Sequence, residues 1–259
     1  MSVLDVGVEG RVRNKHIGDR QMTPRGALSP VGRETLHHRV YAELRRSLIH
    51  GMLDAGASLR IQDLAATLQT STMPVREALG RLVSEQALES LPNRTVRVPV
   101  ITREKLDDLA RARCLIEGEL TALALRNLDA EDYARLRELT LECEAAFTSD
   151  DPDKAHRTSE LNHAFHFYIY RAAGSDVLIP VVESLWLQSG PYVRAAAQIH
   201  DELRDMSGTH HHWALIEALE RGDRAQSVKA LKNDITRSFN LVRGRLADAG
   251  SGEEARAYG

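Results

Sequence analysis

The sequence predicts a mainly α chain built from two parts, an N-terminal winged helix-turn-helix followed by a C-terminal all-α antiparallel helical bundle. Three observations predict this. Of 259 residues, 42% are hydrophobic but only 5% aromatic, with alanine and leucine dominant, a mixture that favours helix over sheet. Apolar residues recur at intervals of three and four through most of the chain, the mark of one-sided helices. A period of two shows only in a short stretch around residues 88–100, too little for more than a small hairpin.

Composition excludes several classes. No run of about 18 apolar residues exists and the N-terminus has no signal-peptide pattern, so a cytoplasmic protein with no membrane partner is predicted. The two cysteines, Cys114 and Cys143, lie in apolar helical patterns far apart and read as reduced core thiols. The net charge of −3 is unevenly spread: residues 1–98 carry 14 Lys and Arg against 10 Asp and Glu, leaving 20 against 27 for the rest. A basic front part is compatible with phosphate contacts.

Residues 1–32 mix Gly, Arg, Pro and Ser without periodicity and read as an N-terminal tail. From Thr35 to His50, Leu36, Val40, Tyr41, Leu44 and Leu48 mark one helical face, and Gly51 ends it. Met52 to Leu59 carries turn chemistry. A short helix from about Gln62 to Leu68 buries Leu64, Ala65 and Leu68, and a second begins three residues later. Ser71 suits its N-cap, and Pro74 falls in the first turn, where a missing N–H removes no helical bond. Val75, Ala78, Leu79, Leu82 and Val83 form its buried stripe. That leaves Ser71, Thr72, Met73 and Arg76 at the exposed N-terminal end, the end that enters the major groove in helix-turn-helix docking. Leu88–Leu91 and Val96–Val100 then alternate around Pro92-Asn93-Arg94-Thr95, a wing hairpin with Arg94 at its tip, placed for backbone or minor-groove contact.

The run from Leu36 to Val98, with Pro74-Val75-Arg76-Glu77-Ala78-Leu79 followed by Arg81-Leu82, resembles the DNA-binding domain of the GntR family of bacterial transcription regulators. The family commonly has Arg after the capping Ser, where this chain has Thr72, so the resemblance does not carry an operator sequence over. The domain is assigned to residues 33–99.

Beyond residue 100 the chain reads as helices separated by caps. The first spans about Arg103–Asn127, and Asp129 opens the next to about Phe147. Asp151-Pro152 starts a third, ended near Ala173 by Gly174. Ser175 begins a fourth that is expected to bend or break near Gly190-Pro191. Ser207 starts a fifth, and Gly222-Asp223 turns into a last helix reaching about Leu246. Short connections between amphipathic helices imply an antiparallel bundle over 100–247, with residues 248–259 as a C-terminal tail.

Asn162 and His166 stand at i and i+4, on one side of the third helix. His212 lies ten residues before Gly222 and Asp234 twelve after it, so a tight hairpin sets them at similar heights. Imidazole, carboxylate and amide oxygen together suit a divalent transition metal. Spacing alone leaves a second reading open, in which these are unrelated polar side chains among eleven histidines.

Residues 103–246 resemble the ligand-binding FCD domain of the FadR subfamily of GntR regulators. Arg113-Cys-Leu-Ile-Glu117 is similar to its R-x-x-x-E, Asn162-x-x-Phe165-His166 to its D/N-x-x-F-H, and His212 to Gly222-Asp223 to its H-to-GD segment. In that subfamily an Asp or Asn and three His bind a metal, often zinc. The resemblance therefore implies Asn162, His166, His212 and Asp234 as ligands, with Asp234 where the third His is expected. It also implies a small organic acid as effector, for which Arg113 is the candidate partner and Tyr192 and Arg194 candidate lining, while the i, i+4 spacing leaves open a plain pairing of Arg113 with Glu117. The whole reads as a homodimeric regulator binding a pseudo-palindromic operator in double-stranded DNA. Two alternatives stand beside it: a helical metal-dependent enzyme acting on a small carboxylate, against which no positioned base or nucleophile motif appears, and a regulator that binds its acid without metal.

Overall fold

The structure is a computed structural model that describes residues 36–92, 95–203 and 208–257, with the backbone alone at 197, 200–203 and from 249 onward. The predicted tail over 1–32 and the wing-tip Arg94 lie outside the described residues. Among the described residues, no helix is long and apolar enough to cross a membrane.

Helix α1 (Leu36–Ile49) buries Val40, Tyr41, Leu44 and Leu48 of the face that periodicity marked, and Ile49 beside them, while Leu36 at its first position is exposed. Gly51 ends it at φ +64°, a left-handed conformation that glycine adopts without strain. Helix α2 (Ile61–Thr67) and α3 (Thr72–Ser84) follow, joined by a turn with Gln69 at φ +50°. Ser71 occupies the α3 N-cap with extended backbone, but its side chain accepts no hydrogen bond there. The wing is a three-stranded sheet rather than a two-stranded hairpin. Its strands β1 (Ser58–Leu59), β2 (Glu89–Ser90) and β3 (Val96–Arg97) run in the order β1-β3-β2, with both pairings antiparallel. β1 lies in the stretch expected to be only a turn, because β3 offers a free edge that Ser58 and Leu59 can pair with. Val75, Leu79, Leu82 and Val98 are fully buried in the core beneath these elements.

Among the described residues the remaining elements are six helices: α4 (Arg103–Ala124), α5 (Ala130–Thr148), α6 (Lys154–Ala172), α7 (Leu178–Leu203), α8 (His210–Glu220) and α9 (Arg224–Ala257). Their caps explain their starts. Thr102 accepts from the Lys105 N–H, and Asp129 forms a capping box with Asp132. The α6 start differs from expectation: Asp151 accepts the Asp153 N–H in a preceding turn, and Asp153 holds the N-cap position. Helix α7 does not break at Gly190-Pro191; it runs through Pro191. Helix α9 continues to Ala257, beyond the expected end at Leu246.

Two cores result, and α7 serves both. Trp186 belongs to the bundle core with Phe165, Phe167, Ile169 and Tyr170, whereas Leu187 belongs to the core of the winged helix. Gly190 makes this sharing possible: a Cβ there would lie 1.7 Å from the Leu48 carbonyl oxygen. Backbones of α1 and α7 therefore approach closely, and α7 ties the winged helix to the bundle.

Candidate functional site

At the reader face, Ser71, Thr72 and Arg76 are exposed at the start of α3 and Met73 is 59% exposed, while Pro74 and Val75 pack inward. Arg76 has no carboxylate partner among the described residues, so its guanidinium is available to an anion. The second turn onward is held from behind: Arg81 lies 3.7 Å over the Tyr41 ring and bonds Glu85, which also accepts from Tyr41. This fixes α3 against α1.

In the bundle, α6, α8 and α9 bring the four candidate ligands together. His166 Nε2 lies 3.1 Å from Asp234 Oδ2. His212 Nε2 lies 3.1 Å from Asn162 Oδ1. Ligand atoms from His166, His212 and Asp234 all fall within 4.8 Å of one another, a group that can hold a metal ion. Both imidazoles are 1% exposed, and the His212 ring stacks on Phe165 at 3.9 Å between centroids. The hairpin through Gly222, at φ +66°, sets α8 beside α9 and so His212 beside Asp234.

Electrostatics favour a neutral imidazole beside an ionised carboxylate, a combination suited to a cation. Burial pushes His212 down to about 3, so its ring is neutral and a nitrogen lone pair is open to a metal near neutral pH. Burial opposes the Asp234 charge, but the hydrogen bond from His166 and the neighbouring imidazoles hold this carboxyl well below the usual range. The donor set fits a divalent metal: two imidazoles, one carboxylate and one amide oxygen. His166 Nδ1 is 3.3 Å from the Tyr170 hydroxyl, the outer contact that orients a ligating ring, whereas His212 Nδ1 is buried without a hydrogen-bond partner.

Arg113 is placed differently from the expected cavity role. It is 3% exposed, bonds Glu117 at 2.5 Å through Nε, and lies 4.2 Å over the Trp186 ring. Burial opposes its charge, and Glu117 more than compensates. Glu117 in turn accepts from the Tyr170 hydroxyl. The result is a buried chain of contacts, Arg113–Glu117–Tyr170–His166–Asp234, that connects Arg113 to the cluster through Glu117 and Tyr170.

A cavity of about 50 Å³ borders Asn162 and Asp234 and is lined also by Thr158, Ser159, Arg237 and Ser238. Arg113, Tyr192 and Arg194 are absent from that lining. Tyr192 is buried, stacked on Phe239 with its hydroxyl unpartnered. Arg194 sits beside Gly51, its Nε 3.8 Å from Asp54 Oδ1 of the winged helix. Sequence reasoning missed Arg237, although its place three residues after Asp234, on the same helical face, is a signal that could have found it. His163 faces away from the ligands, contacting His50 just past the end of α1 and stacking on Phe167.

Comparison with known proteins matches both parts. Residues 36–98 match the model for bacterial regulatory proteins of the gntR family, and residues 108–237 match the FCD domain. The chain is 33% identical over 188 residues to the HTH-type transcriptional regulator McbR of Escherichia coli (strain K12), covering 72% of this chain and 83% of that one. It is 27% identical to the gluconate operon transcriptional repressor of Bacillus subtilis (strain 168) over 85% of this chain and 89% of that one. The solved structure of E. coli McbR/YncC superposes with a TM-score of 0.74 at 28% identity, covering 82% of this chain and 99% of that one. The chain therefore belongs to the gntR family of bacterial regulatory proteins, with a C-terminal FCD domain, its winged helix joined through α7 to the helical bundle.

Proposed function

We propose that this DNA-binding transcriptional regulator works in the cytoplasm as a homodimer on a pseudo-palindromic operator, its affinity set by a small organic acid bound beside a divalent metal. The observation that carries this reading is the convergence of Asn162, His166, His212 and Asp234 beside a cavity that also contains Arg237. Asn162, His166, His212 and Asp234 would hold the metal, zinc being the expected one. When bound, the metal supplies a Lewis-acidic centre for a carboxylate oxygen.

The chain's own residues do the rest. Arg237 offers a guanidinium to the acid's second oxygen or to another carboxylate, a charge-assisted contact. Tyr170 and Glu117 orient His166 from behind. The 50 Å³ space is too small for most metabolites, so a larger acid must part the walls, which include Val193 and Ala196 of α7. Helix α7 also carries Leu187 into the reader core, and this supports a route from cavity to reader. The effector changes DNA affinity only through its different affinity for two arrangements of the reader pair, typically about 1–3 kcal/mol of coupling.

Ser71, Thr72, Met73 and Arg76 are proposed to contact the operator, as is Arg94. The relatives' regulatory names and the lack of any nucleophile motif speak against an enzyme. The test is binding of purified protein to fragments from around its own gene, against random DNA at moderate salt, with and without chelator and candidate acids. Specific binding that an acid shifts only in metal-loaded protein is expected. No preference over random DNA would defeat the DNA reading; an acid response that survives chelation would defeat the role of the metal.

A further inference from the structure

A second and larger cavity lies between the two parts of the chain. It measures about 630 Å³ and is walled by α1 and α3 of the reader and by α6 and α7 of the bundle. That volume is within the range of small-molecule sites. Its lining carries four arginines, Arg45, Arg46, Arg81 and Arg171, against two acids, Glu85 and Glu183. Arg45 pairs with Glu183 and Arg81 with Glu85, so both lining acids are engaged. Arg46 is paired to Glu43 and Glu160, which lie outside the lining. Arg171 has no carboxylate partner among the described residues; its guanidinium lies 5.6 Å from the Phe167 ring centre. His50, 9% exposed on the cleft wall, keeps Nδ1 buried without a hydrogen-bond partner. A buried polar atom without a partner is rare in a finished structure and marks a place where a ligand or water belongs.

We infer that this cleft is a second ligand site, taking a small multivalent phosphate, and that it is separate from the metal-side cavity. The two cavities share no lining residue. Guanidinium groups match phosphate oxygens in pairs, and several at one cleft select for more than one negative charge. Because its walls come from both parts, a phosphate bound here bridges α1 of the reader to α6 and α7 of the bundle. Such a ligand favours whichever reader placement closes the cleft.

The test is calorimetric titration of the chelator-treated full chain with inorganic pyrophosphate at low salt, without DNA, so that it stands apart from the regulatory reading. Saturable one-site binding is expected, weakened at least about tenfold in Arg171→Ser, the worth of one charge-assisted contact. Arg46→Gln is the second variant and should weaken binding similarly; thermal melts verify that each variant is folded. The double variant His166→Ala with His212→Ala should bind pyrophosphate as wild type does. Absence of saturable binding overturns the inference. So does binding that is unchanged in both arginine variants, which would be diffuse attraction, or binding lost in the histidine variant, which would place the anion in the other cavity.

Discussion

His166 Nε2 lies 3.1 Å from Asp234 Oδ2, joining the middle of α6 to α9 at the centre of the bundle. This pair replaces the imidazole pair that the family pattern leads one to expect, and it lends the cluster an anion of its own. Behind it, the Tyr170 hydroxyl, Glu117 and Arg113 continue the polar chain to α4, all of them buried. The cluster is therefore both a candidate ligand set and a piece of the bundle's framework.

Metal retention should depend on the imidazoles first. Replacing His166 and His212 together by Ala should remove bound metal, measured by elemental analysis after purification without chelator. Asp234→His should raise zinc affinity by about one order of magnitude or more, since a third imidazole suits a tetrahedral zinc site. Metal content unchanged in the double variant would place the ion elsewhere.

Stability of the chelator-treated protein should fall on acidification. Burial holds both His212 and His163 down to about 3. Between the unfolded histidine value of about 6.5 and that folded value, the unfolded chain binds more protons, so acid favours unfolding. Each ring removes about 1.4 kcal/mol per pH unit below about 6.5, so a move from about pH 7.5 to 5.5 should cost about 2–3 kcal/mol in urea unfolding. Asp234 adds nothing in this window, because its depressed carboxyl loses stability only below the unfolded value of about 3.9. A flat profile would mean that neither ring is buried neutral.

The Arg113–Glu117 pair predicts an asymmetry between single and double variants. Glu117→Leu leaves Arg113 buried and unpaired and should destabilise the bundle by about 3–5 kcal/mol. Arg113→Met combined with Glu117→Leu should recover most of that loss, because an apolar pair needs no compensation. Chemical denaturation of Glu117→Leu, Arg113→Met and the double variant checks this, and additive losses would contradict it.

At the reader, Arg76→Ala should weaken specific DNA binding by about 1–3 kcal/mol. Anisotropy titrations over a salt series would further assign its target: a phosphate contact lowers the salt slope by about one, whereas a base contact relaxes specificity at one operator position. An unaltered isotherm would remove Arg76 from the interface.

Gly190→Ala should loosen the junction between reader and bundle. Its Cβ would meet the backbone oxygen of Leu48, which cannot move aside without shifting α1. A loss of about 1–3 kcal/mol or more is expected, seen as a lowered melting temperature. A neutral effect would show that α1 and α7 can separate freely.

Local chemistry made much of this protein legible in its sequence. The apolar stripes of α1 and α3, the capping of α5 by Asp129 and the left-handed Gly51 and Gly222 all depend on neighbours a few residues away. So does the i, i+4 placement of Asn162 with His166, and the hairpin count that brought His212 level with Asp234. What only the tertiary structure decided depends on partners distant in the chain. Ser58 and Leu59 became a strand because β3 presented an edge. Helix α7 persisted through Pro191, its neighbouring residues packed into both cores. Arg113 was laid over Trp186, away from the cavity that Arg237 lines, and Arg194 was drawn to Asp54 at the junction with the reader. Periodicity says which face of a helix turns inward, but a charged side chain on that face takes the nearest compensating group, and only packing decides which group that is.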